Sequence, residues 1–336
     1  MKLVRYISLL VLVLFASLSY SQSWTGRAFN FYDAKDYDNA KSAIDSAITT
    51  YERFDSQTWQ LRGLIYGNVS TSDQLYYREI ALESFVRAKS LDSTGIYTEN
   101  INSYLDNTLI RYYNDAVNFL LEEQNFEKSI ESYELYKDLY RKLRVAGFEF
   151  TTKDINFYNA VGAEFLKKVD LVEPDKKPYF REKALFYCNK VLKIDSLDYM
   201  ANFNSGIVHY NIGADYVMTA KPETTLEELT MNLKKSEDAF LKAIVPLHRA
   251  EKLKPNSLEV QEALMGCYYG LLNNNKYLKY QTLVDKHYIQ SYIDQYKADP
   301  TDQDNIKKLI RIYTYTLIDE EKADYYKNIL FDLKNK

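Results

Sequence analysis

The sequence predicts an all-α fold, built as a stack of antiparallel helical hairpins. Three observations carry that prediction. Chain breakers are scarce, with 10 Gly and 6 Pro in 336 residues. Bulky packing residues abound, with 32 Tyr and 16 Phe. Apolar and small residues also recur at helical spacing, in paired stretches joined by polar corners.

The first residues read as a secretory signal. Lys2 and Arg5 form a basic start, Ile7 to Leu18 an apolar run, and Ser19-Tyr20-Ser21 a small-residue cleavage site. The apolar run of 12 residues falls short of the roughly 20 needed to span a bilayer. No cysteine near the site offers a lipid attachment point. Residues 1–21 are therefore expected to be removed, leaving an exported chain from 22 to 336. Losing Lys2 and Arg5 takes the formal charge from −4 to −6. Mild acidity without a long basic run argues against nucleic acid and anionic membrane surfaces as partners.

The first hairpin follows at once. Trp24, Ala28 and Phe31 share one helical face, and Tyr37, Ala40, Ile44 and Ala47 share another. Lys35-Asp36 forms the corner between them. The pattern then returns 35 residues on, where Trp59, Gly63 and Tyr66 restate Trp24, Ala28 and Phe31. Ala81, Phe85 and Ala88 restate Ala40, Ile44 and Ala47 after an insertion around Val69 to Arg78. Gly63 and Ala81 are small where two helices are expected to cross.

These residues resemble the tetratricopeptide repeat, W-x2-L-G-x2-Y…A-x3-F…P, with Arg62 in place of its leucine. The resemblance continues with drift. Ser129 and Tyr133 follow a helix over Tyr112 to Leu121. Gly162, Phe165, Ala184 and Cys188 form a unit split by the polar insertion Pro174 to Pro178. Gly206 opens a further unit that Ala243, Leu247, Ala250 and Pro255 close; Gly266 and Tyr269 begin another. Ile306 to Leu317 and Ala323 to Leu333 make a last, more polar pair. The resemblance implies that residues 22–336 form one α-solenoid of antiparallel helix-turn-helix repeats, wound as a right-handed superhelix. Within it, residues 199–255 predict a long-helix hairpin, linked around Pro222 and kinked at Pro246. Residues 301–334 are the C-terminal pair.

Sequence motifs for chemistry are missing. There is no G-x-G-x-x-G, P-loop, G-x-S-x-G or H-E-x-x-H. His209, His248 and His287 fall on different predicted helices, away from the spacing that aims two imidazoles at one metal. Glu227-Glu228 and Asp319-Glu320-Glu321 fall at helix starts, where carboxylates suit the positive end of the dipole. Cys188 and Cys267 are expected as two separate buried thiols, a single bridge being the alternative. No enzyme activity, cofactor or metal is expected.

What remains is surface. The resemblance implies a concave groove lined by the first helix of each hairpin. By phase with the motif residues, Phe29, Tyr32, Gln60, Leu64 and Ile207 face it. So do the candidate partner-binding residues Arg111, Asn114, Asn118, Asn156, Asn159, Phe203 and Tyr210. An Asn amide both donates and accepts, which suits an extended peptide backbone; Arg111 suits a carboxylate. The several Lys and Arg of a carboxylate clamp are not in the required places. The reading is a non-enzymatic scaffold for a protein or peptide partner, in the periplasm or at the outer membrane. An accessory subunit of a secretion or nutrient-uptake assembly is the alternative, docking through Val217, Met218 and Met231. An enzyme without a recognisable motif is the remote one.

Overall fold

Turn chemistry divides the chain into hairpins. At four corners a residue enters the left-handed region: Lys35 (φ 60°), Gln124 (φ 51°), Leu272 (φ 54°) and Ile318 (φ 54°). Each is followed by Asp or Asn. The N–H groups of Asp36, Asn125, Asn273 and Asp319 donate back to Phe31, Phe119, Tyr268 and Tyr313, closing one helix. Their side chains then accept from the N–H groups of Asn39, Lys128, Lys276 and Lys322, opening the next. One residue thus caps two helices, so these corners need no insertion.

The computed structural model describes residues 23–69, 74–143, 149–218 and 224–335. Among the described residues there are fourteen α-helices and no strand. The chain divides into two units, Met1–Glu149 and Phe150–Lys336.

In the first unit, α1 (Trp24–Asp33) pairs with α2 (Tyr37–Ala47), α3 (Ser56–Asn68) with α4 (Gln74–Leu91), and α5 (Thr98–Leu121) with α6 (Phe126–Leu143). A 3-10 turn, Tyr51–Phe54, joins α2 to α3. Second helices pack on the next first helices, and the first helices α1, α3 and α5 touch in sequence. In the second unit, α7 (Thr151–Val169) pairs with α8 (Lys177–Ile194), and α9 (Tyr199–Met218) with α10 (Leu226–Leu253). There α11 (Leu258–Gly270) pairs with α12 (Asn274–Ala298), and α13 (Gln303–Arg311) with α14 (Glu320–Lys334). Consecutive pairing of this kind is compatible with an α-solenoid.

The crossings use the small-against-large pattern. A Cβ on Gly63 would lie 2.4 Å from the Phe85 ring, and one on Gly206 2.5 Å from Leu247. A Cβ on Gly162 would meet the Ala184 carbonyl and Cys188 Sγ at 3.5 and 3.6 Å, in ordinary contact. The long hairpin repeats the device along its length. Gly213 admits Phe240, and Ser236 Oγ donates to the Gly213 carbonyl at 2.9 Å. Gly270 of α11 meets Phe240 as well, so one ring sits against two glycines.

Several expectations shift in detail. The α5 helix starts at Thr98, well before Tyr112. Helix α10 runs on through Pro246, which is buried. The first helix of the last pair ends at Arg311 and passes into a π-helical turn, Ile312–Thr316. Thr316 Oγ1 there donates to Asp285 on α12 at 3.1 Å. Cys188 and Cys267 are free and buried, and burial pushes both thiols up to about 12. The signal segment 1–21 and the Pro222 link lie outside the described residues.

Candidate functional site

Two neighbouring pockets open in the first unit, one between α1 and α3 and one where α3, α4 and α5 meet. The α1 helix buries Ala28; Phe29, the next residue, is exposed, while Tyr32, one turn beyond Ala28 and half-buried, meets Tyr37 of α2 edge-on at 5.9 Å between centroids. Phe29 and Tyr32 line a pocket of about 470 Å³ with Gln57, Gln60 and Leu64 of α3. No ionisable carboxylate or cation lines it, and Phe29 is 56% exposed. Burial, then Tyr37 and Tyr104, push the Tyr32 phenol upward.

Asn68 connects this pocket to the next. Its Nδ2 donates to Leu64 O at 2.8 Å and, more loosely, to Tyr32 Oη at 3.4 Å. The second pocket, about 360 Å³, is lined by Asn68, Tyr66, Tyr77, Arg78 and Arg111. Arg111 Nη1 donates to the Gly67 carbonyl at 2.8 Å, and its charge forms no ion pair among the described residues. Arg78 is spoken for: it pairs with Asp115 and lies 4.6 Å over the Tyr112 ring. Along α3 the lining run from Gln57 to Asn68 spans about 16 Å at 1.5 Å per residue. That is the length of roughly five residues of extended chain.

Among the candidates, Arg111, Asn114 and Asn118 are exposed along α5, with Arg111 in the second pocket. Those in the second unit fare differently. Asn156 is exposed on α7. Asn159 Nδ2 donates to Asp198 Oδ1 at 3.1 Å, and Asp198 also accepts from Ala201 N at the start of α9. Asn159 therefore holds a helix start. Phe203 lies parallel to Tyr199, at 1° and 5.9 Å between centroids, and lines a shallow depression with Met200 and Lys254. Tyr210 packs on Phe240 and against Gly266, and burial raises its phenol.

Sequence reasoning missed Lys254, whose ammonium lies 3.8 Å over the Tyr199 ring. It also missed a pocket of about 660 Å³ between α8 and α9, where Arg181 pairs with Asp215 beside Leu185, Ile212 and Met218. Neither had a local signal, because their residues lie far apart in sequence. His248 joins a polar network: Nδ1 meets Glu251 at 2.9 Å and Nε2 meets Tyr268 Oη at 2.8 Å, while Tyr280 donates to Glu251. No group of His, Cys, Asp and Glu among the described residues has metal-site geometry. No family model matches the chain, and no curated protein matches it significantly.

Proposed function

We propose that the chain is a tetratricopeptide-like α-solenoid of right-handed superhelix that binds an extended segment of a partner protein and catalyses no reaction. One observation carries the proposal. Phe29, Tyr32, Gln60, Leu64 and Arg111, groove positions by repeat phase, line two adjoining pockets of the first unit. An apolar side chain fits between Phe29 and Leu64, while Gln57, Gln60 and Asn68 offer amides to a peptide backbone. The secretory reading of residues 1–21 puts the partner in the bacterial envelope.

A photo-cross-linking residue at Leu64 tests this in the envelope fraction. A discrete envelope adduct that disappears with Phe29→Ser is expected. Adducts only with cytosolic proteins, or none, would sink it.

A second reading, docking into a larger secretion or uptake assembly through the long hairpin, rests on a separate observation. Val217, Met218 and Met231 are all exposed near its far end, Met218 at 82%. Large exposed apolar side chains at one end are a mark of contact surfaces. The same cross-linker at Met218 discriminates the two readings.

A further inference from the structure

Several joints between hairpins share one device. Where a second helix packs on the next first helix, an Asp meets an Arg across the joint. Asp45 of α2 meets Arg62 of α3 at 3.1 Å, and Arg181 of α8 meets Asp215 of α9 at 2.7 Å. Arg78 of α4 pairs with Asp115 of α5, and Asp285 of α12 with Arg311 of α13. The α10–α11 joint uses His248 on Tyr268 instead. Where the second helix supplies the acid, its setting repeats: Ala40, Ile44 and Asp45 on α2, then Tyr280, Val284 and Asp285 on α12. Two buried residues four apart are followed at once by the carboxylate.

The first helix, α1, carries the receiving half of this device. Trp24, Arg27 and Phe31 stand 35 residues before Trp59, Arg62 and Tyr66. On α3, Arg62 lies 4.6 Å from the Tyr66 centroid and 5.7 Å from that of Trp59. Asp45 of α2 takes both that guanidinium and the Tyr66 hydroxyl. On α1, Arg27 lies 5.0 Å from the Trp24 centroid, is exposed, and forms no ion pair among the described residues. Trp24 is 40% exposed and Phe31 37%, against 4% for Tyr66. A clamp fixes the start of this helix. Glu52, buried in the turn Tyr51–Phe54, accepts from Trp24 N at 3.1 Å and Thr25 N at 2.8 Å, and Thr25 and Thr58 share a hydroxyl bond at 2.8 Å. The face is thus ordered before anything docks on it, which lowers the entropic cost of docking.

We infer that the leading face of α1, formed by Trp24, Arg27 and Phe31, docks an amphipathic helix of a partner protein that bears an Asp or Glu directly after two apolar residues four apart. Charge and the chain's own pattern set this occupant. On α3 the same three positions are closed by α2 with that arrangement. A helix covering Arg27 without a carboxylate would leave a buried charge unpaired, and a basic helix would be repelled. Asp45 and Asp285, the chain's own joint acids of this kind, are spent on Arg62 and Arg311, so the helix comes from another protein. This face is separate from the α1–α3 pocket of the peptide-binding reading, and the two are tested separately.

The probe is the chain's own α2 segment, residues 36–48, as a fluorescent peptide stapled on the side opposite Ala40 and Ile44. It is titrated into the chain from Gln22 onward, which keeps every described residue. Saturable binding by fluorescence anisotropy is expected. Arg27→Ala in the protein should weaken it roughly tenfold, and so should Asp45→Asn in the peptide. With both changed, the loss should be no larger than with either alone, because the two side chains act on each other. Arg27 is exposed, so circular dichroism and thermal unfolding of Arg27→Ala should match the parent. No binding at millimolar peptide would overturn the inference, as would binding indifferent to both substitutions. Binding lost with Phe29→Ser but kept with Arg27→Ala would overturn it too, by placing the helix in the α1–α3 pocket. Self-association of the chain without peptide, abolished by Arg27→Ala, would overturn the assignment to another protein, because a second copy would then cover the face.

Discussion

The two units use phase-equivalent residues in opposite ways. On α1 and α3, Phe29 and Leu64 face an open pocket. On α9, Tyr210 faces Gly266 and Phe240, and Asn159 on α7 is drawn into the start of α9. The difference follows from the glycines. Gly206, Gly213, Gly266 and Gly270 let α9, α10 and α11 approach until side chains near the first helices fill the space between them. In the first unit Gly63 makes such a close approach, to Phe85 of its own partner helix. Repeat phase says which way a side chain leaves its helix; the distance to the next helix decides whether it meets solvent or a neighbour.

The largest expected effect tests that contrast. Phe240→Ala should cost about 3–5 kcal/mol in chemical denaturation, because a ring held against two glycines leaves a cavity that cannot collapse. Phe29→Ala, in the open pocket, should change stability by no more than about 0.5 kcal/mol while abolishing the Leu64 cross-link. Equal losses at the two sites would break the comparison.

The buried acids come next. Asp285 is buried and pairs with Arg311, yet burial outweighs that pairing and raises its pKa above the ordinary 3.8. Its folded pKa lies above the unfolded one, so the folded chain holds the proton more tightly. Its contribution to stability falls as pH rises through that interval. Asp285→Asn should therefore cost less than about 1.5 kcal/mol at neutral pH, whereas Arg311→Ala, which strands the carboxylate, should cost about 3 kcal/mol. Equal costs would refute this ordering.

Glu52 in the first unit behaves with the opposite sign. Burial pushes its pKa up, but the bonds from Thr25 and Trp24 outweigh it and hold it below the ordinary 4.5. Its contribution is complete above about 4.5 and is lost as pH falls through the folded value. Acidification should loosen the α1 start, read as faster amide exchange at Trp24 and Thr25. Glu52→Gln should reproduce that at neutral pH, at a cost of about 1–2 kcal/mol. Exchange unchanged by either treatment would remove the clamp.

The smallest effects belong to the exposed amides. Asn114→Ala and Asn118→Ala should leave the melting temperature within about 2 °C. Their effect on the Leu64 cross-link shows whether the site extends along α5 beyond Arg111.

Much of the fold was legible in local sequence. Helix pairing followed from apolar period, and the crossings from Gly162 and Gly206 against Ala184 and Ala243, with Gly63 against Phe85. Of the four tight corners only Lys35-Asp36 showed in the sequence, as a polar pair between two apolar faces; the other three turn at non-glycine residues in the left-handed region, which composition does not mark. Repeat phase brings Phe29, Tyr32, Gln60 and Leu64 to one pocket in the first unit; in the second it leaves Asn156 in solvent but sets Asn159 and Tyr210 against neighbouring helices.

What the sequence by itself determined is therefore the set of helices and the side on which each presents its residues, since both depend on neighbours within a turn or two. Tertiary structure alone decided which of those sides stay open. Asn159 meets Asp198 across 39 residues, Arg78 meets Asp115 across 37 and Glu52 meets Trp24 across 28. Such partners are set by how closely whole helices and turns pack, and no short window of sequence contains both halves of the contact.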